Sequence, residues 1–76
     1  MNISETITDY KKLLPEHQNQ YLEQLLAFDR IIFPDTCKQE LFDFMHDPDA
    51  ISVQVVEYFD GVRLIGYNSI LILKLN

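Results

Sequence analysis

Asp35, Glu40, Asp43, Asp47 and Asp49 crowd one stretch of the chain, with Lys38 as the only basic residue among them. Oxygen ligands in that number suit calcium or magnesium. Their spacing does not, because Asp47-Pro48-Asp49 lacks the central glycine and alternating ligands of a calcium loop. Asp43 and Asp47, at i and i+4 on a helix, read as solvated charges. His17 and His46 are the only histidines, and either has the chemistry of a general base. The sequence places no serine or cysteine nucleophile beside them, so they read as surface or capping residues. Cys37 is the single cysteine and has no Cys-x-x-Cys or His-x-x-x-His partner for a metal. It is expected to be a buried or half-buried structural residue, packing as a small hydrophobe. Tyr58, Phe59, Tyr67 and Asn68 have the chemistry to line a pocket or touch a partner, but strands are rich in such residues anyway.

The elements that must hold these residues follow from periodicity and punctuation. Thr6-Ile7-Thr8-Asp9 resembles a capping box, which predicts a short helix from about Ser4 to Leu14. Pro15 suits the first turn of a new helix, and Glu16 beside it favours the positive end of the helix dipole. The second helix is predicted over Pro15 to Ile32, with Leu22, Leu25, Leu26, Phe28, Ile32 and Phe33 largely on one stripe. Phe33-Pro34 ends it. Thr36, with Gln39 three residues on, reads as a second capping box opening a third helix. Cys37, Leu41, Phe44 and Met45 form its apolar face, widened by Phe42. Asp47-Pro48-Asp49 is a stop and a turn.

Residues Ile51 to Leu75 read as a β-hairpin turning at Asp60-Gly61, a dipeptide suited to a type I′ turn. In the first arm Val53 and Val55 face one side, and Ser52, Gln54, Val56 and Tyr58 the other. The second arm runs from Val62 to Leu75, with Gly66 marking a bulge or a close approach. Its end places Ile70 and Ile72 on one face and Leu71, Leu73 and Leu75 on the other. A strand apolar on both faces belongs inside a larger sheet. The chain stops at Asn76, so another copy or another protein chain is expected to complete the sheet, with Tyr67, Ile70 and Ile72 as the interaction surface.

The chain has 76 residues, enough for one small domain or one segment of a larger one. It is 47% hydrophobic, too apolar for intrinsic disorder. Its longest apolar run, Ile70 to Leu73, is far too short to span a membrane. No signal-peptide pattern opens it. The net charge of −6 and scattered basic residues exclude the usual means of gripping nucleic acid. The lone cysteine points to a reducing, cytoplasmic setting.

The stretch from Phe28 to Tyr67 resembles the N-terminal half of a GNAT N-acetyltransferase. The pieces are Phe28-Asp29-Arg30-Ile31-Ile32-Phe33-Pro34, then Thr36 opening a helix, then Val53-Gln54-Val55-Val56-Glu57-Tyr58, then Asp60-Gly61-Val62-Arg63-Leu64-Ile65-Gly66-Tyr67. The family similarly has a helix ending near Phe-Pro, a second short helix, and a hairpin with Asp-Gly followed by Gly-Tyr. It also opens with a strand, for which Met1-Asn2-Ile3 looks too short. The Gln/Arg-x-x-Gly-x-Gly/Ala loop that cradles the coenzyme pyrophosphate is absent, since Gly61 and Gly66 stand in no such loop. The resemblance thus implies the acceptor-side half of the fold, with Phe33, Pro34 and Asp35 as substrate contacts. It implies no catalytic or cofactor-binding residue here, and acetyl-CoA only where a full domain is completed.

The expected fold is α+β: three N-terminal helices packed on an antiparallel hairpin. Two functions stand beside one another. One is the acceptor-side segment of a GNAT-like acetyltransferase, inactive alone. The other is a small acidic protein-interaction module, an adaptor, inhibitor or effector type, that binds or dimerises through its C-terminal hairpin. A complete small enzyme ranks last, since nucleophile, metal spacing and phosphate loop are all missing.

Overall fold

The computed structural model describes residues 2–74. Along the chain come β1 (Ile3–Asp9), a 3-10 turn (Tyr10–Lys12), α1 (Pro15–Ile32), α2 (Lys38–Met45), β2 (Ala50–Asp60) and β3 (Arg63–Leu73). The strands form an antiparallel sheet in the order β1-β2-β3. The architecture is α+β, with two α-helices and a three-stranded sheet.

The first predicted helix is a strand instead. Thr6-x-x-Asp9 fits a capping box, but Ile3, Thr6, Ile7 and Thr8 are β-branched and favour extended backbone. Seven residues of β1 pair with β2, from Ile3 opposite Asp60 to Asp9 opposite Gln54. Only Tyr10–Lys12 coil, and Leu13 N–H closes that turn on the Tyr10 carbonyl at 3.1 Å.

The predicted bounds of α1 hold, with Pro15 in its first turn and Phe33 at its C-cap. Leu22, Leu25 and Leu26 are buried along it, whereas Ile32 and Phe33, at the end of the same stripe, are exposed. In α2 the second capping box does not form. Cys37 occupies the N-cap without a side-chain hydrogen bond, and it is exposed rather than buried. The Thr36 hydroxyl instead donates back to the Phe33 carbonyl at 2.7 Å, and Gln39 Nε2 donates to Asp43 Oδ1 at 2.7 Å. Both side chains serve local acceptors other than the first turn of α2.

The β2–β3 hairpin pairs Asp60 with Arg63, so its loop is Gly61-Val62 rather than Asp60-Gly61. Gly61 alone has positive φ, +63°, while Val62 does not. Positive φ at the first loop residue only is the pattern of a type II′ turn, which favours glycine there. A bulge lies next to Gly66: Tyr58 pairs with Gly66 and Phe59 with Leu64, leaving Ile65 as the extra residue. A second irregularity leaves Ile51 unpaired between Ala50 and Ser52. The predicted extension of this strand to Leu75 lies outside the described residues.

Both helices pack on one face of the sheet. The core joins Leu22 and Leu25 of α1, Met45 of α2, Tyr10, and Ala50, Val53 and Val55 of β2. Leu13, Tyr21, Leu41, Tyr67 and Leu71 pack around it. Each fully buried leucine contributes about 2 kcal/mol in area removed from water. Lys11 staples the layers, its ammonium donating to the carbonyls of Asp47, at 2.7 Å, and of Ala50.

Candidate functional site

Cross-strand pairing sorts every strand residue to one of two faces. Val53, Val55 and Glu57 face the helices, with Thr8 and Thr6 beside them on β1 and Leu71, Ser69 and Tyr67 on β3. The opposite face carries Ile3, Glu5, Ile7 and Asp9 on β1. On β2 it carries Ser52, Gln54, Val56 and Tyr58, and on β3 Gly66, Asn68, Ile70 and Ile72. No helix lies on that face, because α1 and α2 are both committed to Val53 and Val55. Ile3 is 55% exposed, Ile7 62%, Ile70 49% and Ile72 39%.

Ile70 and Ile72, which the sequence put on one face, lie together on this open surface. Tyr67 goes elsewhere: it lies on the helix-covered face, donates a hydrogen bond to Asp29 Oδ2 at 2.7 Å, and meets the Phe28 ring edge-on at 5.9 Å. Ile3 and Ile7 join the open face because β1 exists as a strand. Their signal in the sequence was the alternation Ile3, Glu5, Ile7 against Ser4, Thr6, Thr8.

The open face also carries polar side chains: Glu5 and Asp9 on β1, Ser52, Gln54, Tyr58 and Asp60 on β2, and Asn68 on β3. Asp9 Oδ2 accepts from the Ser52 hydroxyl at 3.2 Å and lies 3.9 Å from Lys12 Nζ. Asp9 Oδ1 is buried without a partner.

Under the helices lie two tyrosine–carboxylate pairs. Glu57 is the buried charged residue of the core face, 6% exposed, and its Oε1 accepts from the Tyr21 hydroxyl. Thr8 of β1 lies on the same face beside this pair. Burial, and then the Glu57 carboxylate, raises the Tyr21 pKa well above the usual tyrosine value. Burial and Asp29 do the same to Tyr67. An open apolar groove of about 390 Å³ runs past Glu57, lined by Gln24, Ala27, Phe28, Ile31, Phe59 and Leu64.

His46 caps α2, stacks on Phe42 at 4.0 Å, and is hydrogen-bonded through Nε2 to the Tyr10 hydroxyl at 2.7 Å. Burial and the nearby Lys11 ammonium lower its pKa. His17 is exposed in the first turn of α1. Phe33, Pro34 and Asp35 are exposed in the α1–α2 connection, where Arg30 Nε donates to the Thr36 carbonyl at 3.2 Å.

Among the described residues, no group of three or more His, Cys, Asp or Glu side chains is placed to hold a metal ion. Nor is any helix among them long and apolar enough to cross a membrane. No protein-family profile, curated protein or solved structure matches this chain.

Proposed function

We propose that this chain is a small protein-interaction module that works by association, presenting the uncovered face of its sheet to another protein surface. One observation carries the reading: four isoleucines stand exposed on the face that α1 and α2 leave bare. Singly exposed apolar residues are ordinary on monomers, but two pairs of isoleucines linked through Val56 on one uncovered sheet face mark a contact surface.

The test is a triple variant, Ile7→Thr, Ile70→Thr and Ile72→Thr, examined by circular dichroism and thermal melting at high dilution. Threonine keeps β-branching and strand preference while removing the apolar surface. A face that serves a partner leaves the isolated fold intact, with Tm within a few degrees of the parent. Loss of the folded spectrum overturns the reading, because those side chains then belong to the chain's own core.

One observation favours a second reading, an acceptor-side segment of a GNAT-like acetyltransferase. The order strand, helix, helix, hairpin is the order that resemblance implies, and β1 supplies the opening strand. Phe33, Pro34 and Asp35 are the acceptor contacts in that reading. The described fold offers no glycine loop leading into a helix, so isothermal titration with acetyl-CoA is expected to give no heat. Tight coenzyme binding sinks the claim that the coenzyme half is absent from these residues.

A further inference from the structure

Building on the association reading, we infer that the occupant of the open sheet face is a second copy of this chain, packed face to face about a two-fold axis. Two observations lead there.

The first is the layout of the apolar groups. Ile3 lies opposite Asp60 at the hairpin-turn end of β1, and Ile7 lies opposite Val56. Ile70 and Ile72 lie opposite Gln54 and Ser52, at the other end of β3. The two isoleucine pairs therefore occupy diagonally opposed corners of the face, bridged by Val56 and Tyr58 of the central strand. A two-fold axis in the plane of contact, perpendicular to that diagonal, lays Ile3 and Ile7 of one copy against Ile70 and Ile72 of the other. Both contacts form at once, which is the self-complementarity an isologous interface requires.

The second is size and charge. Strands about 4.8 Å apart, with roughly 30 Å of β2, give a face of about 14 by 30 Å. Two such faces in contact bury on the order of 1,000 Å² in total once side-chain relief is counted, the lower bound of a specific interface. The central rows are neutral: Ser52, Gln54, Val56 and Tyr58 on β2, and Gly66 and Asn68 on β3. Glu5 lies between Ile3 and Ile7 on edge strand β1, Asp60 stands opposite Ile3 with Arg63 across the hairpin, and Asp9 is tied to Ser52 and Lys12. Packed sheets about 10 Å apart would let the isoleucines interdigitate as in a β-sandwich.

Sedimentation velocity on the full chain tests this, with three variants. The parent is expected to sediment at twice the 9.0 kDa chain mass, dissociating on dilution. Ile7→Lys and Ile70→Glu should each weaken self-association on the order of a hundredfold or more, because each buries an unpaired charge twice in the dimer. An equimolar mixture of the two should dimerise again. In the mixed pair one corner holds Lys opposite Glu and the other keeps Ile7 against Ile70. A dimer that survives Ile7→Lys overturns the face-to-face arrangement and points to strand-edge pairing through β3. A mixture that stays monomeric overturns the corner-to-corner register. A monomeric parent beside a folded triple-threonine variant overturns the second copy as occupant, while the association reading stands and a different protein is required.

Discussion

Tyr21→Phe removes a single oxygen and leaves the ring packed at the edge of the core. That oxygen is the donor to Glu57, whose side chain is buried beneath α1. A hydrogen bond to a charged group contributes roughly 1.5–3 kcal/mol, and a buried carboxylate left without a donor adds its desolvation cost. Tyr21→Phe should therefore destabilise the fold by about 2–3 kcal/mol, a Tm drop of roughly 10–20 °C in a domain of this size. Glu57→Leu changes the balance. It takes the charge out of the interior, fills similar volume, and orphans only a phenol that still has Thr8 nearby. The double variant Tyr21→Phe/Glu57→Leu should then be more stable than Tyr21→Phe alone, since both polar partners have gone together. Urea denaturation of the four proteins at neutral pH yields the coupling free energy, expected to be about 2 kcal/mol. If Tyr21→Phe costs under about 0.5 kcal/mol, or if the two substitutions simply add, the buried pair is not what ties α1 to β2.

Leu25→Ala, at a fully buried site of α1, should cost about 2–5 kcal/mol and leave little folded protein, whereas Val62→Lys at the fully exposed hairpin tip should cost almost nothing; chemical denaturation separates the two, and equal effects would contradict the placement of the core. His46 is held below its ordinary pKa by burial and Lys11, so its folded form favours neutrality. The stability this contributes is fully present above about pH 6.5 and is lost as pH falls below it. The His46→Asn variant should therefore lose its disadvantage relative to the parent between pH 7.5 and 5, and a difference that stays constant across that range argues against the assignment. Tyr10, Tyr21 and Tyr67 all have raised pKa values, so their neutral forms stabilise the fold up to about pH 10 and that contribution is lost as pH rises further. Alkaline titration should show part of the tyrosinate absorbance appearing together with loss of helix signal; tyrosinate that appears fully while the fold persists refutes the burial of these phenols.

Local chemistry fixed several elements before any tertiary contact. Pro15 could only begin α1 and Phe33-Pro34 could only end it, because proline lacks the N–H and constrains its predecessor. The alternation of Val53 and Val55 against Ser52, Gln54 and Val56 placed the core face of β2 correctly, and Gly66 announced the neighbouring bulge. That Ile70 and Ile72 share one face was legible from strand period alone. Other features depended on partners distant in sequence. Thr6-Ile7-Thr8-Asp9 is compatible with a helix start and with a strand, and pairing with residues near Gln54 to Asp60 decided for the strand. Tyr67 shares the parity of Ser69 and Leu71, opposite Glu57, Val55 and Val53, so strand alternation turns it inward, and the Asp29 carboxylate on α1 accepts its hydroxyl. Cys37 is exposed at the N-cap of α2, whose buried residue is Met45 at the other end. The bare sheet face is the clearest case. Each helix sequence states which of its own sides is apolar, but only the packed fold shows that both cover the same side of the sheet, because that choice rests on chain crossings and long-range burial rather than on any local period.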